Sequence, residues 1–292
     1  MGVKIERVDT VRCGLGEGAV WDAAGQALFF LDIWGRKIFR HDPASGETAC
    51  FEVPGHVGAM ALGSGGSALL GMKDALCRLD FASGACEQLS GPVFDGPGVT
   101  INDGAADRRG RFVFGGCCEG IDNPRPVGGL FGFDRERGVT RLDEGVHFSN
   151  SHCFSPDGAT LYAADSFLRR LYAYDYDLET GAVANRRVFA NTDDLGGLPD
   201  GSAVDADGTV WVSVFEAGRI AAYRSDGRLE RVIEMPVKLI SSVAFGGPAL
   251  DVLYVTTIDP GQFGRAAEEG SGHVYAVTGL GVQGLPEPRA AV

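Results

Sequence analysis

Along most of this chain, apolar and polar residues alternate in short runs broken by Gly-containing turns, the two-residue period of strands rather than the 3.6-residue period of helices. The stretch Leu198, Pro199, Asp200, Gly201, Ser202, Ala203, Val204, Asp205, Ala206, Asp207, Gly208, Thr209, Val210, Trp211, Val212 shows the unit. A carboxylate is followed by a small-and-apolar run, an Asp-Gly turn, and the alternating apolar residues of a second strand. The unit recurs. Glu17 stands before residues 18–21 and a turn at 22–25, Asn102 before 103–106 and a turn at 107–110, and Asn150 before 151–154 and a turn at 155–158. Four polar, metal-capable side chains thus hold equivalent places in four copies of one unit.

The turn glycines Gly25, Gly65, Gly110, Gly158, Gly208 and Gly247 recur every ~40–50 residues, the period of a four-stranded propeller blade. The pattern predicts an all-β chain: a six-bladed β-propeller with four-stranded antiparallel blades, one domain over residues 1–292. The first blade reads as strands at 18–21, Ala27–Asp32, Lys37–His41 and Thr48–Glu52. A later one reads as Thr160–Asp165, 170–174, a turn at 177–181, and 186–190. The last blade, 243–256 followed by 273–277, has no evident outer strand. Residues 4–11 are expected to close it, because an open seam would leave strand edges unpaired.

Strand direction adds geometry. If each first strand runs from one end of the propeller to the other, the residue before it shares a rim with the loop between strands two and three. Glu17, Asn102, Asn150 and Asp200 are therefore expected on the rim carrying loops 34–36, 117–129, 165–169, 215–218 and 257–272. The Asp-Gly turns face the opposite end and merely reverse the chain. Loops 117–129 and 257–272 exceed hairpin length, and long loops in compact domains are commonly functional.

Composition narrows the partners. A chain of 292 residues with 44 glycines and a formal charge of -13 repels nucleic acid and anionic membrane surfaces, leaving a small molecule or a cation. No protein partner is implied. Residues 1–12 carry no apolar core of a signal peptide, and no apolar run is long enough to span a membrane. Seven cysteines without metal-ligand spacing point to a reducing, cytoplasmic setting.

Glu17, Asn150 and Asp200 offer two carboxylates and an amide oxygen, a set suited to one hard or borderline divalent ion: Ca²⁺, Mg²⁺, Mn²⁺, Zn²⁺ or Fe²⁺. With an open position such an ion could polarise a carbonyl and acidify a water while a carboxylate takes the proton. Other residues read as structural. Asn102-Asp103-Gly104 is turn-like, and His152 reads as a packed core histidine. Ser155 and Ser166 lack a paired His and Asp, which argues against a serine nucleophile. Cys117 and Cys118 read as buried fillers, Trp21, Trp34 and Trp211 as packing residues, and Asp193 with Asp194 as a solvated loop.

At these residues the sequence resembles the senescence marker protein (regucalcin) and gluconolactonase family of six-bladed propeller hydrolases. The matching stretches are Leu15-Gly16-Glu17-Gly18-Ala19-Val20-Trp21, Asn102-Asp103-Gly104, Ser149-Asn150 with Ser155-Pro156-Asp157-Gly158, and Pro199-Asp200-Gly201. Phe245-Gly246-Gly247-Pro248, Leu253-Tyr254-Val255-Thr256-Thr257 and the ending Gly281-Val282-Gln283-Gly284-Leu285-Pro286 also match, so the similarity covers nearly the whole chain. The resemblance implies that Glu17, Asn150 and Asp200 bind one divalent metal and that Asp200 is also the base. It implies that Asn102 reaches the metal through water or holds the substrate, typically an aldonolactone. Thr100 stands where some members carry a substrate-binding arginine, and Gly120 lies near the place of a substrate-binding glutamate. Glu119, Asp122, Arg125 and Glu216 lie on the expected rim and are candidates to replace them. The expected activity is hydrolysis of a sugar lactone to the acid. The alternatives are a metal-dependent hydrolase of a non-sugar lactone or organophosphate ester, or a non-catalytic metal-binding propeller.

Overall fold

Runs rich in β-branched and aromatic residues, such as Ala27–Asp32 and Val210–Phe215, are buried almost end to end, whereas Thr48–Glu52 and Leu229–Glu234 are largely exposed. That gradient from buried to exposed strands builds each sheet of the computed structural model, which describes residues 2–8, 11–119 and 125–292.

In chain order, β1 (Lys4–Val8) precedes a sheet of β2 (Gly16–Asp22), β3 (Ala27–Asp32), β4 (Lys37–His41) and β5 (Thr48–Glu52). The next sheet holds β6 (Val57–Leu62), β7 (Ser67–Met72), β8 (Leu76–Asp80) and β9 (Cys86–Gln88). The third holds β10 (Val99–Ala106), β11 (Phe112–Cys118), β12 (Gly128–Asp134) and β13 (Gly138–Val146). The fourth holds β14 (Ser149–Phe154), β15 (Thr160–Asp165), β16 (Arg170–Tyr176) and β17 (Val183–Asn191). The fifth holds β18 (Leu198–Val204), β19 (Val210–Phe215), β20 (Arg219–Tyr223) and β21 (Leu229–Glu234). Finally β22 (Ile240–Gly246), β23 (Val252–Thr257) and β24 (Val274–Thr278) are completed by β1, paired antiparallel with β24 from Lys4 opposite Thr278 to Val8 opposite Val274.

The fold is thus an all-β six-bladed propeller of four-stranded antiparallel sheets, with the N-terminal strand supplying the edge that the last blade lacks. Among the described residues no helix is long and apolar enough to cross a membrane. Asp193 and Asp194 are exposed in a short 3-10 turn, as a solvated loop requires.

Contacts divide the chain into two compact units, residues 1–52 with 192–287, and 53–191 with 288–292. In the first, Trp211, Ile220, Phe245, Leu253 and Tyr275 form a core cluster between neighbouring sheets. In the second, Phe112 stacks on Phe114 and Phe114 on Phe131, at 5.5 and 5.6 Å between centroids. Each fully buried side chain of this size contributes ~1.5–3 kcal/mol. Trp21 and Trp211 are buried in such packing, while Trp34 is exposed with its ring edge-on to Phe263.

Two local expectations change. The left-handed residue of the first turn is Gln26, at φ 46°, because Gly25 is fixed beneath the Asp22 carboxylate that accepts its N–H. The first strands also begin earlier than the small apolar runs suggest, so the four singled-out polar residues lie inside them rather than ahead of them. Pairing continues on both sides of a slip in register.

Candidate functional site

That slip recurs in the first strand of every blade. Glu17 and Asn150 are the last paired residues before it, and Asn102 and Asp200 lie within it. A bulge bends the strand and re-aims the side chains beside it, which is why bulges gather next to active sites.

In the first unit, Glu17 is half-buried, and its Oε2 accepts the Gly18 N–H at 3.0 Å. Gly18 sits at φ 56°, where a Cβ would fall 2.9 Å from Leu31 Cδ1. Asp200 is buried, and a Cβ on Gly201 would meet Ser242 Cα at 2.7 Å, so glycine lets β18 lie close against β22. Buried hydroxyls hold the backbone flanking both carboxylates. Ser241 Oγ donates to the Gly16 carbonyl at 2.5 Å, and Ser213 Oγ reaches the Gly201 and Ser241 carbonyls. Ser242 Oγ accepts the Ala19 N–H at 3.3 Å. Glu17 and Asp200 therefore stand on a cross-linked backbone.

In the second unit, Asn102 Nδ2 donates to Asn150 Oδ1 at 2.7 Å and to the Ser149 carbonyl at 3.0 Å. Asn150 Nδ2 donates to Ser166 Oγ at 3.0 Å, which turns its Oδ1 toward Asn102. The buried Cys117 thiol approaches Asn102 Oδ1 at 3.7 Å, and burial pushes this thiol up to about 12, so it stays protonated as a filler would. Cys118 is buried as well.

The sequence reading missed a group beside these amides. The buried His152 ring meets Asp103 Oδ2 through Nδ1 at 3.1 Å and Ser149 Oγ through Nε2 at 3.2 Å. Burial opposes ionisation of Asp103, but hydrogen bonds from His152 and Gly104 hold its carboxyl below the usual carboxylate range. Ser149, three residues before His152, has a histidine partner. Ser149-x-x-His152 was the available signal for the serine contact.

Thr100 is buried, its hydroxyl 3.4 Å from the Ile101 carbonyl. Glu119 pairs with Lys73 at 2.7 Å. Arg125 is exposed and lines a cavity of about 330 Å³ with Phe94, Asp95, Phe131 and Arg141. Glu216 pairs with Arg265 at 2.5 Å in the first unit. Asp122 and the Gly120 position lie outside the described residues.

Among the described residues no three His, Cys, Asp or Glu side chains group to hold an ion. The candidate donors Glu17, Asn150 and Asp200 are oxygen throughout, and the Ser166 bond commits the Asn150 NH₂, so its oxygen, which accepts from Asn102, is the atom that could ligate. They fit a hard or borderline divalent cation.

Comparison with known proteins agrees with the fold. The SMP-30/Gluconolactonase/LRE-like region model matches residues 15–259. The chain is 32% identical to regucalcin of Xenopus laevis over 97% of both chains, and 34% identical to a pentonolactonase of Haloferax volcanii over 90% of this chain and 88% of the relative. A luciferin-regenerating enzyme superposes with TM-score 0.90 at 27% identity, covering 100% of both chains. A calcium-binding regucalcin from Agrobacterium tumefaciens superposes with TM-score 0.89 at 28% identity, covering 98% of this chain and 97% of that one. With the family model spanning most of the chain and the same propeller throughout, this protein belongs to the SMP-30/gluconolactonase/LRE-like family.

Proposed function

We propose that this protein is a metal-dependent lactonase that hydrolyses a sugar lactone to its acid. Glu17, Asn150 and Asp200 would hold one divalent ion, and Asp200 would also be the base. The observation that carries the reading is the recurrence of Glu17, Asn102, Asn150 and Asp200 at the register slip of four first strands. Kinship with a pentonolactonase supports the substrate class.

When bound, a divalent ion supplies Lewis acidity toward a carbonyl and lowers the pKa of a water. Asp200 takes the proton from the attacking water as the new C–O bond forms at the lactone carbonyl carbon. The ring C–O bond then breaks, and that proton passes to the departing ring oxygen, leaving a hydroxy acid. Both Nδ2 hydrogens of Asn102 are directed at protein acceptors, so Asn102 offers a ligand its Oδ1, an acceptor for a substrate hydroxyl. That polarity favours a polyhydroxylated lactone over an apolar one. Exposed Arg125 lines a cavity with Phe94, Asp95 and Arg141.

The test is a panel of aldonolactones given to chelator-stripped protein and to protein reloaded with single divalent ions, with acid release followed by pH indicator. Turnover above the water background that appears with an ion and vanishes with chelator is expected. Metal-loaded protein that opens no aldonolactone overturns the reading. Activity on non-sugar lactones or organophosphate esters, or ion binding alone, would then mark the replacement.

A further inference from the structure

His152 lies at the centre of a closed circuit within the second unit. Asp103 Oδ2 accepts from His152 Nδ1 at 3.1 Å and from the His152 backbone N–H at 3.3 Å. An ionised Asp103 only accepts, so the hydrogen on Nδ1 faces it, and Nε2 meets the Ser149 hydroxyl at 3.2 Å. The Ser149 carbonyl in turn accepts from Asn102 Nδ2 at 3.0 Å, and Asn102 is the chain neighbour of Asp103. The ring of contacts Asp103, His152, Ser149, Asn102 thus joins the bulge of β10 to the bulge of β14.

Asn150 lies on this circuit between Ser149 and Ser151, its Oδ1 receiving the second hydrogen of Asn102 Nδ2. Ser151, also buried, adopts φ 60°, a left-handed conformation a side chain takes only when its surroundings impose it. Both ring nitrogens are partnered, as a buried imidazole requires, and here the partners lie on two different bulged strands. All three side chains of the relay are polar, and Ser149 and His152 are closed to solvent. That burial rules out Ser149 as a nucleophile toward an external ester. What the relay can do is fix two bulges, and with them the amides they carry.

We propose that His152, through Asp103 and Ser149, is a positioning residue that sets the orientation of the Asn102 and Asn150 side-chain amides, and so the direction in which Asn150 presents its oxygen. The consequence for ion binding rests on the ligand role proposed for Asn150; the consequence for the amides does not. Groups that orient a ligand from behind typically alter metal affinity by ~10–100-fold when removed.

The experiment compares wild type, His152→Leu, His152→Asn, Ser149→Ala and Glu17→Gln. Side-chain amide resonances of Asn102 and Asn150 are recorded by NMR without metal, and Ca²⁺ and Mn²⁺ affinities are measured by calorimetry well below the melting temperature of each variant. His152→Leu is expected to shift both amide resonances and to weaken ion binding ~10–100-fold. His152→Asn, which keeps a donor for Asp103, is expected to recover most of the affinity, and Ser149→Ala to fall between. Unshifted amide resonances in folded His152→Leu overturn the proposal. If His152→Leu does not fold, His152→Asn and Ser149→Ala carry the same amide comparison. Wild type that binds no divalent ion defeats the lactonase reading while leaving the amide measurement to decide this one. Ion binding lost in Glu17→Gln but intact in His152→Leu defeats this one alone.

Discussion

The Trp211 indole donates its N–H to Asp205 Oδ2 at 2.9 Å, with both residues buried. Asp205 Oδ1 meanwhile accepts the N–H groups of Asp207 and Thr209. The turn aspartate therefore does more than reverse the chain: it joins a hairpin tip to the core cluster around Trp211. Asp107 does the same in the second unit, accepting from Arg111 Nε and the Tyr176 hydroxyl at 2.8 Å each. Asp205→Ala would leave a buried indole N–H and two turn amides without acceptors. Buried unsatisfied groups cost ~1–3 kcal/mol each, so a loss of about 3–5 kcal/mol is expected in denaturant unfolding, against a much smaller loss for Asp226→Ala on the surface.

His41 gives stability a pH dependence. Burial holds its imidazole below its usual value, against a smaller opposing effect of Asp42, and Nδ1 meets Thr48 Oγ1 at 3.0 Å. Because the folded value is lowered, the unfolded chain binds the proton more readily, and stability rises with pH over that range. The contribution of His41 is complete above the unfolded value near 6.5 and is lost as pH falls from there through the folded value. Unfolding curves from pH 8 to 4.5 should show this slope, and His41→Gln should flatten it; an unchanged slope removes His41 as the cause.

Gly115 on β11 leaves room for the Ser149–His152 contact. A Cβ there would overlap Ser149 Oγ and lie 3.0 Å from His152 Nε2. Overpacking of this kind costs ~1–3 kcal/mol. Gly115→Ala is expected to destabilise by that amount and to move the Asn102 amide resonance. Gly91→Ala, where nothing lies near a Cβ, should leave that resonance in place.

Much of this was legible because propeller blades repeat. Glu17 precedes Asp22, Asn102 precedes Asp107, Asn150 precedes Ser155 and Asp200 precedes Asp205 by the same five residues. That common interval puts the four at one place in the ladder without any knowledge of tertiary structure. The strands Ala27–Asp32, Lys37–His41, Thr48–Glu52 and Thr160–Asp165 have the boundaries their alternation predicts. The bulges were not legible, since one extra residue in a run of small side chains leaves no mark on an alternating pattern. Nor was the Asp103–His152 contact, which joins positions 49 residues apart across two strands of different blades. Glu119 and Glu216 read as rim candidates for substrate binding, and each is paired with a basic side chain that sequence distance concealed.

Glu17→Gln separates ion binding from folding. The Ser241 bond to the Gly16 carbonyl does not involve the Glu17 side chain, and glutamine keeps an oxygen that can accept the Gly18 N–H. The variant should melt within a few degrees of wild type while its affinity for divalent ions drops. Undiminished metal content after dialysis would count against Glu17 as a ligand.

Asp200→Asn tests the base. A carboxylate beside a cation is less basic than a free one, but the water it must deprotonate is acidified by the same ion, so proton transfer stays feasible near neutral pH. The substitution keeps a possible oxygen ligand and removes the base. It also keeps the backbone of β18, whose next residue is held by Ser213 at the Gly201 carbonyl. Loss of a positioned base costs ~10²–10⁴-fold in rate, so lactone turnover should fall by that factor with metal still bound. Aldonolactones open in water, and this background must be subtracted because it mimics residual activity. A metal-loaded Asp200→Asn protein with nearly full turnover would show that the proton goes elsewhere, to hydroxide already present or to another carboxylate.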